Sequence, residues 1–132
     1  FAASWINGRD LADNLNSLQL PGVMFRPISY KPYYGFGKGT DLNGVEVYVT
    51  DFDKAELTLV QFYVMQELAR MYPAHKASAG ASPARFGMFD KVCGSKAVRT
   101  GFFKRHRVED IDRLWHKDLP AFEKTKKEYH LY

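Results

Sequence analysis

The chain has 132 residues, of which 45% are hydrophobic and 26% charged, so disorder along its whole length is excluded and one folded core is within reach. Nineteen Lys and Arg against fifteen Asp and Glu give +4, a mildly basic balance that permits an anionic partner without requiring one. A single cysteine, Cys93, rules out an internal disulfide framework and a Cys-rich zinc site, and no stretch approaches the ~20 apolar residues of a membrane helix. No basic-then-apolar leader stands at Phe1, and the apolar opening without an initiator Met reads as a piece cut from a longer chain.

In chain order, Leu11, Leu15 and Leu18 recur at helical spacing and predict a short amphipathic helix, with Asn7 as its N-cap and Pro21-Gly22 as its end. Val23 to Lys31 is apolar at both parities, which predicts a strand covered on both faces, with Pro27 at a bulge or an edge. From Pro32 to Gly44 the periodicity dissolves into a loop in which Tyr33, Tyr34 and Phe36 interleave with Gly35, Gly37 and Gly39. Val45, Val47 and Val49 then alternate with polar neighbours as a half-buried strand.

Asp53 to Glu56 has the spacing of a capping box, and Leu57, Val60, Val64, Leu68 and Met71 form one face of the core helix that follows, ended by Pro73. Residues 74–83 are small and polar, a surface loop. Phe89 to Phe103 reads as one or two short helices broken near Gly94 and Gly101. Val108, Ile111, Trp115, Leu119 and Phe122 continue at helical spacing, with Pro120 kinking that helix or dividing it. The series predicts an α+β fold, a small sheet packed against several helices as one compact domain over residues 1–132.

Few residues carry obvious chemistry. The glycines of the loop lack the third glycine and the following helix of a phosphate-binding fingerprint. Asp41, Asp51 and Asp53 are too few for a hard-cation cage, and the last two fit helix capping. His75, His106, His116 and His130 have no zinc spacing and read as surface histidines; Cys93 reads as a small half-buried thiol. The run Lys104-Arg105-His106-Arg107 reads as a solvated helix end balanced by Glu109 and Asp110. Neither a catalytic residue, a metal site nor a cofactor is expected from these residues. The aromatic loop stands apart, because large aromatic faces are costly in water unless they pack or bind.

Gly22-Val23-Met24-Phe25-Arg26-Pro27, the aromatic loop after Pro32, Gly44-Val45-Glu46-Val47-Tyr48-Val49-Thr50-Asp51, Leu68-Ala69-Arg70-Met71-Tyr72-Pro73, Phe89-Asp90-Lys91 and the terminal Tyr129-His130-Leu131-Tyr132 form an ordered series. Together they resemble the C-terminal domain of the bacterial exo-β-N-acetylmuramidases, long known as a domain of unknown function. The resemblance implies a bacterial, periplasmic or secreted glycosidase that releases N-acetylmuramic acid from the non-reducing ends of peptidoglycan fragments. It implies a Rossmann-like N-terminal domain as partner, carrying the catalytic machinery. The chain departs from the family at Gly35-Phe36-Gly37, where a Ser-Lys-Tyr-like stretch is common, and at Leu42, where a cysteine is common.

Muramic acid carries a lactyl carboxylate, for which a bidentate Arg is the natural partner. Arg26, Tyr30, Lys31, Tyr33 and Tyr34 are therefore the expected substrate-binding residues, with no membrane involved. No convincing carboxylate pair for glycoside hydrolysis stands in the chain. The competing expectations are a stand-alone module for single-stranded nucleic acid or an acidic partner, against which the modest charge argues, and a domain that only stabilises its neighbour.

Overall fold

The computed structural model describes residues 1–76 and 82–130. The chain forms two compact units, Phe1–Lys76 and Ala77–Tyr132, and its class is α+β.

The first unit is built from β1 (Ala2–Ala3), α1 (Gly8–Ser17), β2 (Val23–Tyr30), β3 (Leu42–Val49) and α2 (Leu57–Met71), followed by a short turn of 3-10 helix at Pro73–His75. The three strands make an antiparallel sheet in the order β1-β3-β2. Asn7 caps α1 as its position suggests, its side chain accepting from the backbone N–H groups of Arg9 and Asp10. Leu11 and Leu15 are fully buried, whereas Leu18 falls at the C-cap and stays partly exposed. Gln19, in the left-handed region at φ 52°, ends the helix before Pro21 is reached.

The register of β2 against β3 sets Phe25 opposite Val47 and Pro27 opposite Val45. Directly opposed residues share a face of the sheet, so Val23, Phe25, Val45 and Val47 line the inner one. There they join Ile6, Leu11, Ala12, Leu15, Val60 and Val64 in one core. Full burial of each large aliphatic side chain contributes about 1.5–3 kcal/mol. α1 is the helix laid on the sheet, and α2 packs on α1.

Two expectations for the hairpin are corrected. β2 is covered on one face only: Phe25 is buried while Met24, Arg26 and Tyr30 are exposed. The helices of the unit pack on a single side of an antiparallel sheet, so the apolar residues of the other parity, Met24 among them, gain no covering layer within it. β3 begins at Leu42, earlier than the valine alternation indicates, because Leu42 and Gly44 pair with Tyr30 and Ile28.

Pro27 does stand on an edge strand, where a missing N–H costs nothing in the ladder. The free edge of β2 is closed locally by Asn16. Its side-chain amide donates to the Phe25 carbonyl and accepts from the Phe25 N–H, each at 2.9 Å, imitating a neighbouring strand.

α2 begins at Leu57 with Glu56 as its N-cap, three residues later than the start expected at Asp53, and no side-chain hydrogen bond caps it. Asp51 instead organises the preceding turn: its side chain accepts from the Asp53 N–H, its carbonyl accepts from the Ala55 N–H, and its carboxylate pairs with Lys54 at 2.8 Å. On α2, Val60 and Val64 are buried and Leu68 and Met71 partly so, while Leu57 is exposed. A second stripe, Leu59, Phe62 and Ala69, is buried too. Glu67, also buried, accepts from Arg70, which in turn donates to Asn14 of α1 at 2.6 Å.

The second unit contains α3 (Pro83–Val92), α4 (Lys96–Arg105), α5 (Asp112–Trp115) and α6 (Leu119–Lys126), with 3-10 turns at Val108–Asp110 and Lys127–Tyr129. Gly94, at φ 70°, separates α3 from α4 as expected. Gly101 does not break a helix. It lies inside α4, where a Cβ would come 3.2 Å from the Ile111 side chain, so the glycine serves close packing. Pro120 stands in the first turn of α6, where its lack of an N–H is harmless, so the proline divides the terminal segment. Arg99 joins α3 and α4, reaching both Asp90 carboxylate oxygens at 2.6 and 2.9 Å and lying over the Phe86 ring at 4.7 Å. Of the segment 74–83 expected as a loop, residues 77–81 lie outside the described residues, as do Leu131 and Tyr132 of the terminal motif.

Candidate functional site: an exposed aromatic loop and the outer face of the hairpin

The loop between β2 and β3 closes at its base and opens at its tip. The Gly39 N–H donates to the Pro32 carbonyl at 3.0 Å, and the Thr40 N–H to the Gly37 carbonyl at 2.9 Å. Gly35, Gly37 and Gly39 all have φ near +75°, a conformation that side chains rarely adopt, which accounts for the glycine repeat. Gly37 rests on the buried Leu42 side chain, which anchors the loop. At the tip, Tyr33 is 89% exposed, Tyr34 81% and Phe36 83%. They do not seal the core of their own unit.

Below the loop, Arg26 and Tyr30 share the outward face of β2, four residues apart and so roughly 13 Å along the strand. Lys31 lies just past the strand end and pairs with Asp41 at 3.2 Å across the loop base. Both partners are exposed, so the pair contributes little to stability. The fold thus places Tyr30, Lys31, Tyr33 and Tyr34 in or beside one loop. It sets Arg26 lower on the same hairpin, over the Tyr48 ring.

Arg26 has company that sequence reasoning did not single out. Its guanidinium lies 4.9 Å from the centre of the Tyr48 ring, a cation–π arrangement. Glu46 is the residue directly opposite Arg26 in the register. Its carboxylate accepts instead from the Tyr48 hydroxyl at 2.8 Å. That hydrogen bond to an anion is the main reason the Tyr48 hydroxyl is harder to ionise than usual; burial adds to it and Arg26 opposes it. The signal for these residues was present as parity, since Glu46 and Tyr48 alternate with Val45, Val47 and Val49. The register that sets them beside Arg26 was not, because the loop was read as running to Gly44 whereas the strand begins at Leu42.

The remaining candidates have structural employment. A cavity of about 430 Å³ opens at the start of α1, lined in part by Asn7, Arg9, Ser29 and Asn43. Asn7 is spent on the helix cap, and Ser29 donates to Asn43 at 2.7 Å. Among the described residues no group of three or more His, Cys, Asp or Glu is arranged to hold a metal ion, and no helix is long and apolar enough to cross a membrane.

The histidines are not all superficial. His106 is buried at the end of α4 in a left-handed conformation, its ring stacked on Phe103, and His75 stacks on Trp5 with centroids 4.3 Å apart. Arg105 and Arg107 of the basic run pair with Glu109, and Arg105 also with Asp110. Cys93 is half-buried, and burial, with Asp90 nearby, pushes its thiol up and away from the reactive thiolate.

The first unit is thus a small antiparallel sheet backed by helices, with an aromatic loop held out from one hairpin. The sequence matches the family model described as "Exo-beta-N-acetylmuramidase NamZ, C-terminal" over residues 1–132, and the chain belongs to that family. It is 36% identical over 130 residues to the peptidoglycan β-N-acetylmuramidase NamZ of Bacillus subtilis, a match covering 98% of this chain and 30% of that protein. A crystal structure of a DUF1343 family protein from Bacteroides fragilis superimposes with a TM-score of 0.96 at 48% identity, covering 100% of this chain and 34% of that one. The chain thus spans about a third of the length of each of these relatives.

Proposed function

We propose that this chain is the C-terminal part of an exo-acting muramidase of peptidoglycan and supplies part of a sugar-binding cleft rather than the catalytic groups. In this reading Tyr33 and Tyr34 stack on sugar rings, Tyr30 adds a hydroxyl, and Arg26 and Lys31 supply the cations that attract the lactyl carboxylate of muramic acid. The observation that carries it is the exposure of Tyr33 and Tyr34 on a loop whose base is tied down. Aromatic faces held rigidly in water bind flat apolar surfaces at little entropic cost.

The carboxylates around the loop are committed, Asp41 to Lys31, Glu46 to Tyr48 and Asp51 to Lys54. In this reading the acid and base belong to the rest of the enzyme, which the family resemblance makes a Rossmann-like domain. Closure of a cleft over the sugar excludes water and strengthens the polar contacts inside.

In the complete enzyme, Arg26→Ala is expected to weaken substrate capture by about 1.5–3 kcal/mol, the worth of a lost charged hydrogen bond. The melting temperature should stay near that of the parent, because Arg26 is exposed. Steady-state kinetics and thermal melts on the same protein decide the matter, and a loss of melting temperature with unchanged kcat/KM refutes the binding role. The chain on its own should not hydrolyse muramyl glycosides.

A further inference from the structure

Across an antiparallel pair, Arg and Glu in directly opposed positions ordinarily bridge, since their Cβ atoms stand about 5 Å apart. Arg26 and Glu46 are so opposed, and both are exposed. No carboxylate pairs with Arg26 among the described residues; its partner is the Tyr48 ring, diagonal to it in the register. Glu46 is drawn along its own strand to the Tyr48 hydroxyl, 2.8 Å away. One tyrosine thus engages both members of a pair that would otherwise neutralise each other.

We infer that Tyr48 is a positioning residue for a carboxylate-binding site: its hydroxyl holds Glu46 off Arg26, and its ring holds the guanidinium, leaving Arg26 without a carboxylate partner and open to an incoming one. The inference rests on the proposed role of Arg26 and deepens it. A guanidinium supported by a ring presents its edge for two parallel hydrogen bonds to a carboxylate, a geometry a free side chain must pay entropy to reach. The ligand it selects is a sugar bearing a carboxylate, as against the same sugar without one.

The test uses the complete enzyme, with muramyl-terminated substrate and Tyr48→Phe, which keeps the ring and removes only the hydroxyl. Glu46 is then released onto Arg26, and KM is expected to rise about twofold to fivefold, the effect of an exposed cross-strand ion pair competing for the guanidinium. The value of kcat should hold. Adding Glu46→Gln to Tyr48→Phe removes the competing charge and should return KM to the parent value, a rescue that a merely structural tyrosine would not give. If Arg26→Ala weakens capture but Tyr48→Phe leaves KM unchanged, or if Glu46→Gln does not restore it, Tyr48 is not a positioning residue and Arg26 keeps its role. If Arg26→Ala itself leaves capture unchanged, the Arg26 reading falls and this one with it.

Discussion

Gly22 shows how much one residue can fix. Its φ of +70° lies in the left-handed region, and its carbonyl accepts from the N–H groups of Thr50 and Asp51 at 2.9 and 3.3 Å. A Cβ there would stand 2.2 Å from the Asp51 carbonyl oxygen and 2.8 Å from the Ala55 nitrogen, both backbone atoms that cannot swing away. Gly22→Ala is therefore expected to destabilise the first unit by more than about 1 kcal/mol, the sum of backbone strain and a forced shift of the 51–55 turn. Chemical denaturation measures it, and an unchanged midpoint refutes it. Gly35 and Gly39 share the positive φ but meet nothing within 4 Å, so their substitutions carry strain without collision. The sequence showed Gly22 as part of a Pro-Gly terminator and as the first residue of a family motif. Its contact with a turn far along the chain is a property of the register and invisible to local pattern.

At the scale of the element, the core face of α2 was legible in part: helical period picks out Val60, Val64, Leu68 and Met71, but it also takes in the exposed Leu57 and passes over the buried Leu59, Phe62 and Ala69. Val64 has no exposed surface. Val64→Ala should cost about 1–3 kcal/mol from lost burial and the cavity left behind. The denaturation midpoint of the variant checks this, and no change would mean the face is assigned wrongly.

The start of that helix was not legible, because Asp and Glu serve turns and caps alike and the turn at Asp51 takes the residues a capping box needs. The hairpin was half legible. Alternation found the inner face of β3, but the apolar residues at both parities of β2 suggested two covering layers where the unit supplies one. The loop tyrosines were found by their setting among glycines, and the structure leaves them in water. Glu46 and Tyr48 needed the register.

At the scale of the whole molecule, each unit can be followed separately, since Trp5 lies in one and Trp115 in the other. In the second unit, hydrogen bonding to Arg99 holds the Asp90 carboxyl below its usual value, and Arg105 does the same for Asp110. A carboxyl depressed in the folded state favours folding wherever the unfolded carboxyl is ionised, that is, above its ordinary value of 3.8. This contribution is lost as pH falls through 3.8 towards the lower folded values.

The urea midpoint of the second unit should accordingly drop between about pH 5 and about pH 3. Asp90→Asn should lower it at neutral pH and flatten the acid dependence. An acid profile identical to that of the parent would show that the Asp90–Arg99 pair makes no contribution.

The closed base of the aromatic loop also bears on how such a chain diverges. Leu42 and Gly37 tie the loop to the folded body, while Tyr33, Tyr34 and Phe36 project from it with four-fifths or more of their surface in water. Replacements at those three tip positions therefore draw on no packing energy within this chain. Selection can sample them for ligand preference alone, one at a time, on a scaffold that tolerates each intermediate.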